Sequence, residues 1–101
     1  MKNNLFVVIL KYIIPLETID NYRQDHLYFL DHHYKSGIFI ASGAQVPRIG
    51  GIIIAKCLSK QNLEEILHED PFYINGFAEY QIYEFSPTKY CDSFKTILEE
   101  S

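Results

Sequence analysis

The sequence is short of basic residues, cysteine and long apolar runs, and each shortage closes off a class of protein. Nine Lys and Arg stand against thirteen Asp and Glu, for a net charge of −4. Nucleic-acid binding needs a basic stripe to neutralise phosphates, so no nucleic-acid partner is expected. The two cysteines, Cys57 and Cys91, are far apart and in no metal-ligand spacing. They read as free, mostly buried thiols of a protein kept in a reducing cytosol. No stretch approaches the ~20 consecutive apolar residues that cross a membrane, so no membrane partner is expected either. The opening MKNNLFVVIL has a lone Lys, a short apolar run and no small-residue cleavage site. It reads as a first strand and not a signal peptide, which leaves a cytoplasmic protein as the expectation. Trp is absent, yet aromatics make up 15% of the chain and eight of them are Tyr. Tyr is apolar but can still hydrogen-bond, which suits interfaces and pocket walls. With 101 residues, 48% of them hydrophobic, the chain reads as one domain, 1–101, around a single core.

The apolar patterning gives an element order. LFVVILKY, Leu5 to Tyr12, is β-branched and short, a strand. An amphipathic helix follows from about Leu16 to Lys35, with Gly37 placed to end it in a left-handed cap. IFIASGAQV (Ile38 to Val46) and GIIIAKCL (Gly51 to Leu58) form a hairpin around the turn PRIGG. SKQNLEEILHED is a second helix with Ser59 as N-cap, ended by Pro71. FAEYQIYEF (Phe77 to Phe85) is the fourth strand. Beyond Pro87 a terminal helix is expected over 88–100, with Cys91, Phe94, Ile97 and Leu98 at helical spacing. The order βαββαβ is the split βαβ of the ferredoxin-like α+β architecture: a four-stranded antiparallel sheet, two helices on one face, plus the C-terminal helix. Both faces of the first strand are apolar, and GIIIA is apolar throughout. A solvated face would alternate with polar residues. The bare face is therefore expected to pair with a second copy across a two-fold axis, as a homodimer.

One segment asks for chemistry. In RQDHLYFLDHH a helical rotation of about 100° per residue puts Ile19, Tyr22, Arg23, His26, Leu27, Phe29, Leu30, His33 and Tyr34 on the inward half. A guanidinium and an imidazole turned inward need partners, because unpaired buried polar groups cost several kcal/mol. His26 reads either as a core histidine bonded to a carbonyl or as a general acid or base. HEDPF supplies Asp70, whose plain reading is a turn-former at a helix end. A carboxylate beside an imidazole fixes its tautomer and leaves the other nitrogen for proton transfer. Spacing alone does not bring Asp70 to His26. Adjacent His32 and His33 point about 100° apart, and His33 lies about 10 Å along the axis from His26, so no metal site is expected. Gly50-Gly51 precedes no helix N-terminus and is no phosphate loop, and no cofactor is expected. His68 and the acidic LEEILHED run read as solvated helix face.

Together, Arg23-x-x-His26-Leu27, Gly37, Ser42-Gly43, Gly50-Gly51, Asp70-Pro71-Phe72 and Gly76 resemble the YciI-related family, over a core of 5–86. That family is similar to other dimeric α/β-barrel, ferredoxin-like proteins. The resemblance implies a homodimer with its sheets face to face and a His–Asp pair in a pocket on each protomer. By position, His26 and Asp70 match the catalytic pair. Arg23, the strand-end turn Ser42-Gly43 and Phe72 match the substrate pocket. The chain departs from the family in having Gly43-Ala44 where Gly-Pro is usual, which bears on turn rigidity and pocket shape.

Two functions follow as expectations. One is a small enzyme in which His26, oriented by Asp70, performs acid–base chemistry on a small anionic carbonyl or lactone-like substrate anchored by Arg23. Relatives resembling this fold include lactone isomerases, dehydrochlorinases and monooxygenases that work without a metal, and the reaction expected here is of the isomerase, lyase or dehydrochlorinase type. The other is a non-catalytic dimer that binds a small ligand or serves as an accessory module. A pocket open at His26 favours the first, and a sealed, side-chain-filled site favours the second.

Overall fold

The structure, a computed structural model, describes residues 4–99. The first three residues of the opening stretch and the last residue of the expected 88–100 helix lie outside the described residues. Four strands, β1 (Asn4–Tyr12), β2 (Phe39–Ala44), β3 (Gly50–Cys57) and β4 (Ala78–Phe85), form one sheet in the order β2-β3-β1-β4. Every neighbouring pair is antiparallel. Helices α1 (Leu16–Asn21) and α2 (Arg23–Lys35) connect β1 to β2, and α3 (Lys60–Leu67) and α4 (Pro71–Ile74) connect β3 to β4. This is the ferredoxin-like split βαβ read from the element order.

Period-two alternation in β1 explains the core. Phe6, Val8 and Leu10 point to one face, pair across the ladder with Ala55, Ile53 and Gly51, and are buried. Ile19, Phe29 and Leu30 from the first helical layer and Leu63, Ile66 and Leu67 from the second close over them. Gly37 takes φ +82°, the left-handed cap expected after Lys35. Gly50 is required for a different reason: a Cβ there would sit 1.7 Å from the Leu10 carbonyl oxygen, so β3 approaches β1 too closely for any side chain.

The helices depart from expectation in two places. The single helix expected from Leu16 to Lys35 is two, meeting at Tyr22 with φ −106° and ψ 6°. The Tyr22 ring packs edge-on against Phe77 at 4.9 Å, a tertiary contact that helix periodicity does not encode. Tyr22 and Arg23, expected on the inward half, are exposed. Pro71, expected only to end the second helix, begins α4: α3 stops at Leu67, and Pro71 is the first residue of a new turn capped by Asp70. Ser59 does cap α3, accepting the Asn62 N–H at 3.1 Å.

The sheet's other face carries Leu5, Val7 and Ile9 opposite Lys56, Ile54 and Ile52. The terminal helix, α5 (Asp92–Glu99), begins four residues later than expected. It reaches this face at one end: Lys56 Nζ donates to the Ile97 carbonyl at 2.7 Å, and Leu98 and Leu5 are buried. Val7, Ile9, Ile52 and Ile54 remain half-buried, and Tyr83 and Phe85 are 54% and 48% exposed. Both cysteines are free thiols; Cys57 is buried, but Cys91, expected to be largely buried, is exposed beside α5. Among the described residues no helix is long and apolar enough to cross a membrane.

Candidate active site

Asp70 is the most deeply buried charged residue in the core, with no exposed surface at all. Its side chain is satisfied by three donors. Oδ1 accepts the Phe72 N–H at 3.0 Å, the cap that starts α4, and a bond from His26 Nδ1 at 2.8 Å. Oδ2 accepts the Tyr80 hydroxyl at 2.6 Å. A carboxylate can only accept, so Nδ1 of His26 carries the proton and Nε2 is left as the basic ring nitrogen. The imidazole lies flat on the Phe72 ring, centroids 4.2 Å apart and 9° between planes, and is 15% exposed. Phe72 thus supports the ring whose nitrogen Asp70 orients. Burial and the adjacent Asp70 raise the Tyr80 hydroxyl far above its ordinary range, so it stays a donor.

His26 opens into a cavity of about 470 Å3 between the sheet and the first helical layer. Leu10, Ile19, Leu27, Leu30 and Ile53 give it apolar walls. Its polar lining is His26, Arg23, Ser42, Tyr12 and Arg48. Ser42 reaches the cavity because β2 has an irregularity between Phe39 and Ala41, after which Ser42 pairs with core-facing Ile53. Its hydroxyl is 2.6 Å from that of Tyr34. Gly43 and Ala44 continue the same wall. Arg23, in the first turn of α2, lies at the rim. The six residues singled out from the sequence, His26, Asp70, Arg23, Ser42, Gly43 and Phe72, therefore meet at one place: five line the cavity and Asp70 lies behind His26.

Three residues of the site carried no readable signal in the sequence. Tyr80 lies on a strand where Tyr is unremarkable. Arg48 lies in the PRIGG turn and Asp20 at the end of α1. Arg48 forks onto Asp20, with Nη2 to Oδ1 at 2.5 Å and Nη1 to Oδ2 at 3.5 Å. That contact holds the Asp20 carboxyl below, and the guanidinium above, their ordinary values. Arg23 adds to the field on Asp20, and the Tyr12 hydroxyl lies against Arg48.

The remaining histidines stand apart from the cavity. His33 is buried among Phe29 and Phe39, and its Nε2 meets Glu69 Oε1 at 2.9 Å. Glu69, expected to be simply solvated, is exposed but bonded to His33. Exposed His68 stacks on Tyr73 with centroids 4.3 Å apart. Among the described residues no three His, Cys, Asp or Glu side chains gather closely enough to hold a metal ion.

A model of the YCII-related domain matches residues 5–86, which include every residue of this site. No curated protein matches the sequence. Among solved structures the chain resembles 5-chloro-2-hydroxyhydroquinone dehydrochlorinase (TftG) from Burkholderia phenoliruptrix AC1100, determined in complex with 2,5-dihydroxybenzoquinone. The TM-score is 0.71 at 16% identity, covering 81% of this chain and 93% of that one. At that identity the likeness speaks for the fold.

Proposed function

The chain belongs to the YCII-related family, and from that premise we propose that it is a small enzyme performing general acid–base chemistry with His26 and Asp70. The observation that carries this reading is the pair itself: an imidazole bonded through Nδ1 to a buried carboxylate, with Nε2 left for a cavity large enough for a small molecule. Nε2 removes a proton from carbon next to a substrate carbonyl, and Asp70 stabilises the imidazolium that results. The same nitrogen then returns the proton elsewhere, for isomerisation, or keeps it while a leaving group departs with the bonding electrons, for elimination. Arg23 at the rim supplies the charge that anchors an anionic carbonyl or lactone-like substrate. The fold neighbour's dehydrochlorinase activity and quinone ligand support a small oxygenated substrate of this kind.

The protein acts as a cytosolic homodimer on this reading. Support for the dimer comes from the half-buried Val7, Ile9, Ile52 and Ile54 and the exposed Tyr83 and Phe85 on the open sheet face. Two unpaired thiols support a reducing compartment.

The deciding experiment incubates wild type and His26→Ala with small 2-oxo acids and lactones in D2O and follows carbon-bound deuterium by NMR. Wild type should exchange at least one compound about 10²–10⁴ times faster than the variant, the usual contribution of a positioned acid or base. Equal rates for wild type and variant across the panel, with binding still detectable by thermal shift, would leave the accessory-module reading in its place.

A further inference from the structure

The cavity's mouth holds an ion pair that the acid–base chemistry does not use. Arg48, on the loop between β2 and β3, is bonded in a fork to Asp20 at the end of α1, and the Arg23 charge adds to the field on that carboxylate. Arg23 and Arg48 both line the cavity, whereas Asp20 does not. Two guanidiniums thus line one cavity, and Arg48 is answered there by Asp20, in a protein of net charge −4. The pair is also weakly held. Its side chains are 36% and 51% exposed, and water screens exposed ion pairs so that they contribute little. A guanidinium fork matches any planar carboxylate, so Asp20 presents to Arg48 the same group that a ligand would present.

We propose that the cavity takes a monocarboxylate whose carboxylate docks on Arg48 and Arg23, displacing Asp20 from the fork, with its apolar body against Leu27, Leu30 and Ile53. Asp20 is then an internal competitor that keeps Arg48 in place while the cavity is empty. It also ties α1 to the β2–β3 loop across the entrance, so ligand entry releases that tie. The inference rests on the same site as the acid–base reading and names its substrate class, a carboxylate with a single charge. A dianion would meet two guanidiniums with Asp20 still close by, and a neutral molecule would leave the fork on Asp20.

The test uses benzoate and benzamide, one ring with and without the charge, titrated into full-length protein and followed by the histidine ring NMR signals. Wild type should bind benzoate more tightly than benzamide. Arg48→Gln should weaken benzoate by about fivefold or more, and Asp20→Asn should tighten it by about threefold or more, as removal of a competing exposed ion pair allows. Benzamide should change little in either variant. Arg48→Lys, which keeps the charge and loses the fork, should fall between wild type and Arg48→Gln. Benzoate affinity unchanged in Arg48→Gln, or weakened in Asp20→Asn, would overturn the proposal, the second by making Asp20 a support for Arg48. The two readings fail separately: equal deuterium exchange in His26→Ala counts against the chemistry, whereas these affinities count only for or against the docking of the carboxylate.

Discussion

Removing the Asp70 side chain isolates what holds the site together, because Asp70 answers three donors at once. In Asp70→Ala the buried Phe72 N–H and the half-buried Tyr80 hydroxyl lose their acceptor, while His26 can turn to the cavity and find water. Each stranded donor costs about 1–3 kcal/mol, so the variant should lose roughly 2–6 kcal/mol. Asp70→Asn behaves differently. Its Oδ1 still accepts from Phe72 and His26, and its amide N–H meets the Tyr80 hydroxyl, which rotates to become the acceptor. One amide N–H is left without a partner and the charge assistance goes, for about 1–3 kcal/mol. Tyr80→Phe removes one donor from a buried carboxylate and should cost about 1–3 kcal/mol. Urea denaturation at one fixed protein concentration reads all three, provided the m-values agree. Alanine and asparagine variants of equal stability would refute the reasoning, since they would show that the three donors find other acceptors. If Asp70→Ala does not fold, a Tyr80→Phe variant as stable as wild type refutes it just as well.

Three further outcomes follow from the structure. Gly50→Ala should abolish folding or cost several kcal/mol, because its Cβ would lie 1.7 Å from the Leu10 carbonyl oxygen in the neighbouring strand; an ordinary melting temperature would refute that close approach. Leu30→Ala, which empties a buried side chain packed in the core, should cost about 2–5 kcal/mol, whereas His26→Ala, at a more open part of the same cavity wall, should cost about 1 kcal/mol; matching losses in urea would make His26 a core residue. Burial raises the Cys57 thiol from 9.0 to about 11. The folded state therefore holds the proton longer, and stability should be intact below about pH 9 and fall as the pH rises to about 11. A Cys57→Ala variant should show a shallower alkaline decline, and exposed Cys91 alone should react quickly with a thiol reagent in native protein.

The features legible in the sequence are those that one element decides for itself. Alternation in β1 identifies Phe6, Val8 and Leu10 as core because a strand's two faces are fixed by its own pleat. Gly37 marks a left-handed cap because no neighbour is needed to require one. The break at Tyr22 is not legible, since it coincides with a contact to Phe77 that exists only once β4 is in place. Arg48 and Asp20 are likewise ordinary surface residues until α1 and the β2–β3 loop meet, 28 positions apart. Tyr80 becomes part of the site only through the Asp70 it points at. What local pattern misses here is the meeting of side chains brought together by topology.

Asp70-Pro71-Phe72 shows how a local signal can still specify a distant partner. Read locally, it is a helix start: the aspartate caps, the proline takes the first helical position without needing a donor, and the next N–H closes the cap. That closure fixes the carboxylate, because Oδ1 cannot leave the Phe72 N–H without uncapping α4. Oδ1 is also the atom that holds His26 Nδ1, so the cap sets where the imidazole's proton points. The third residue completes the arrangement, since the ring of Phe72 is the surface on which that imidazole lies. Reading Asp70 as a turn-former and reading it as the partner of His26 are thus two descriptions of one oxygen atom. The turn is what makes the carboxylate rigid enough to orient a base.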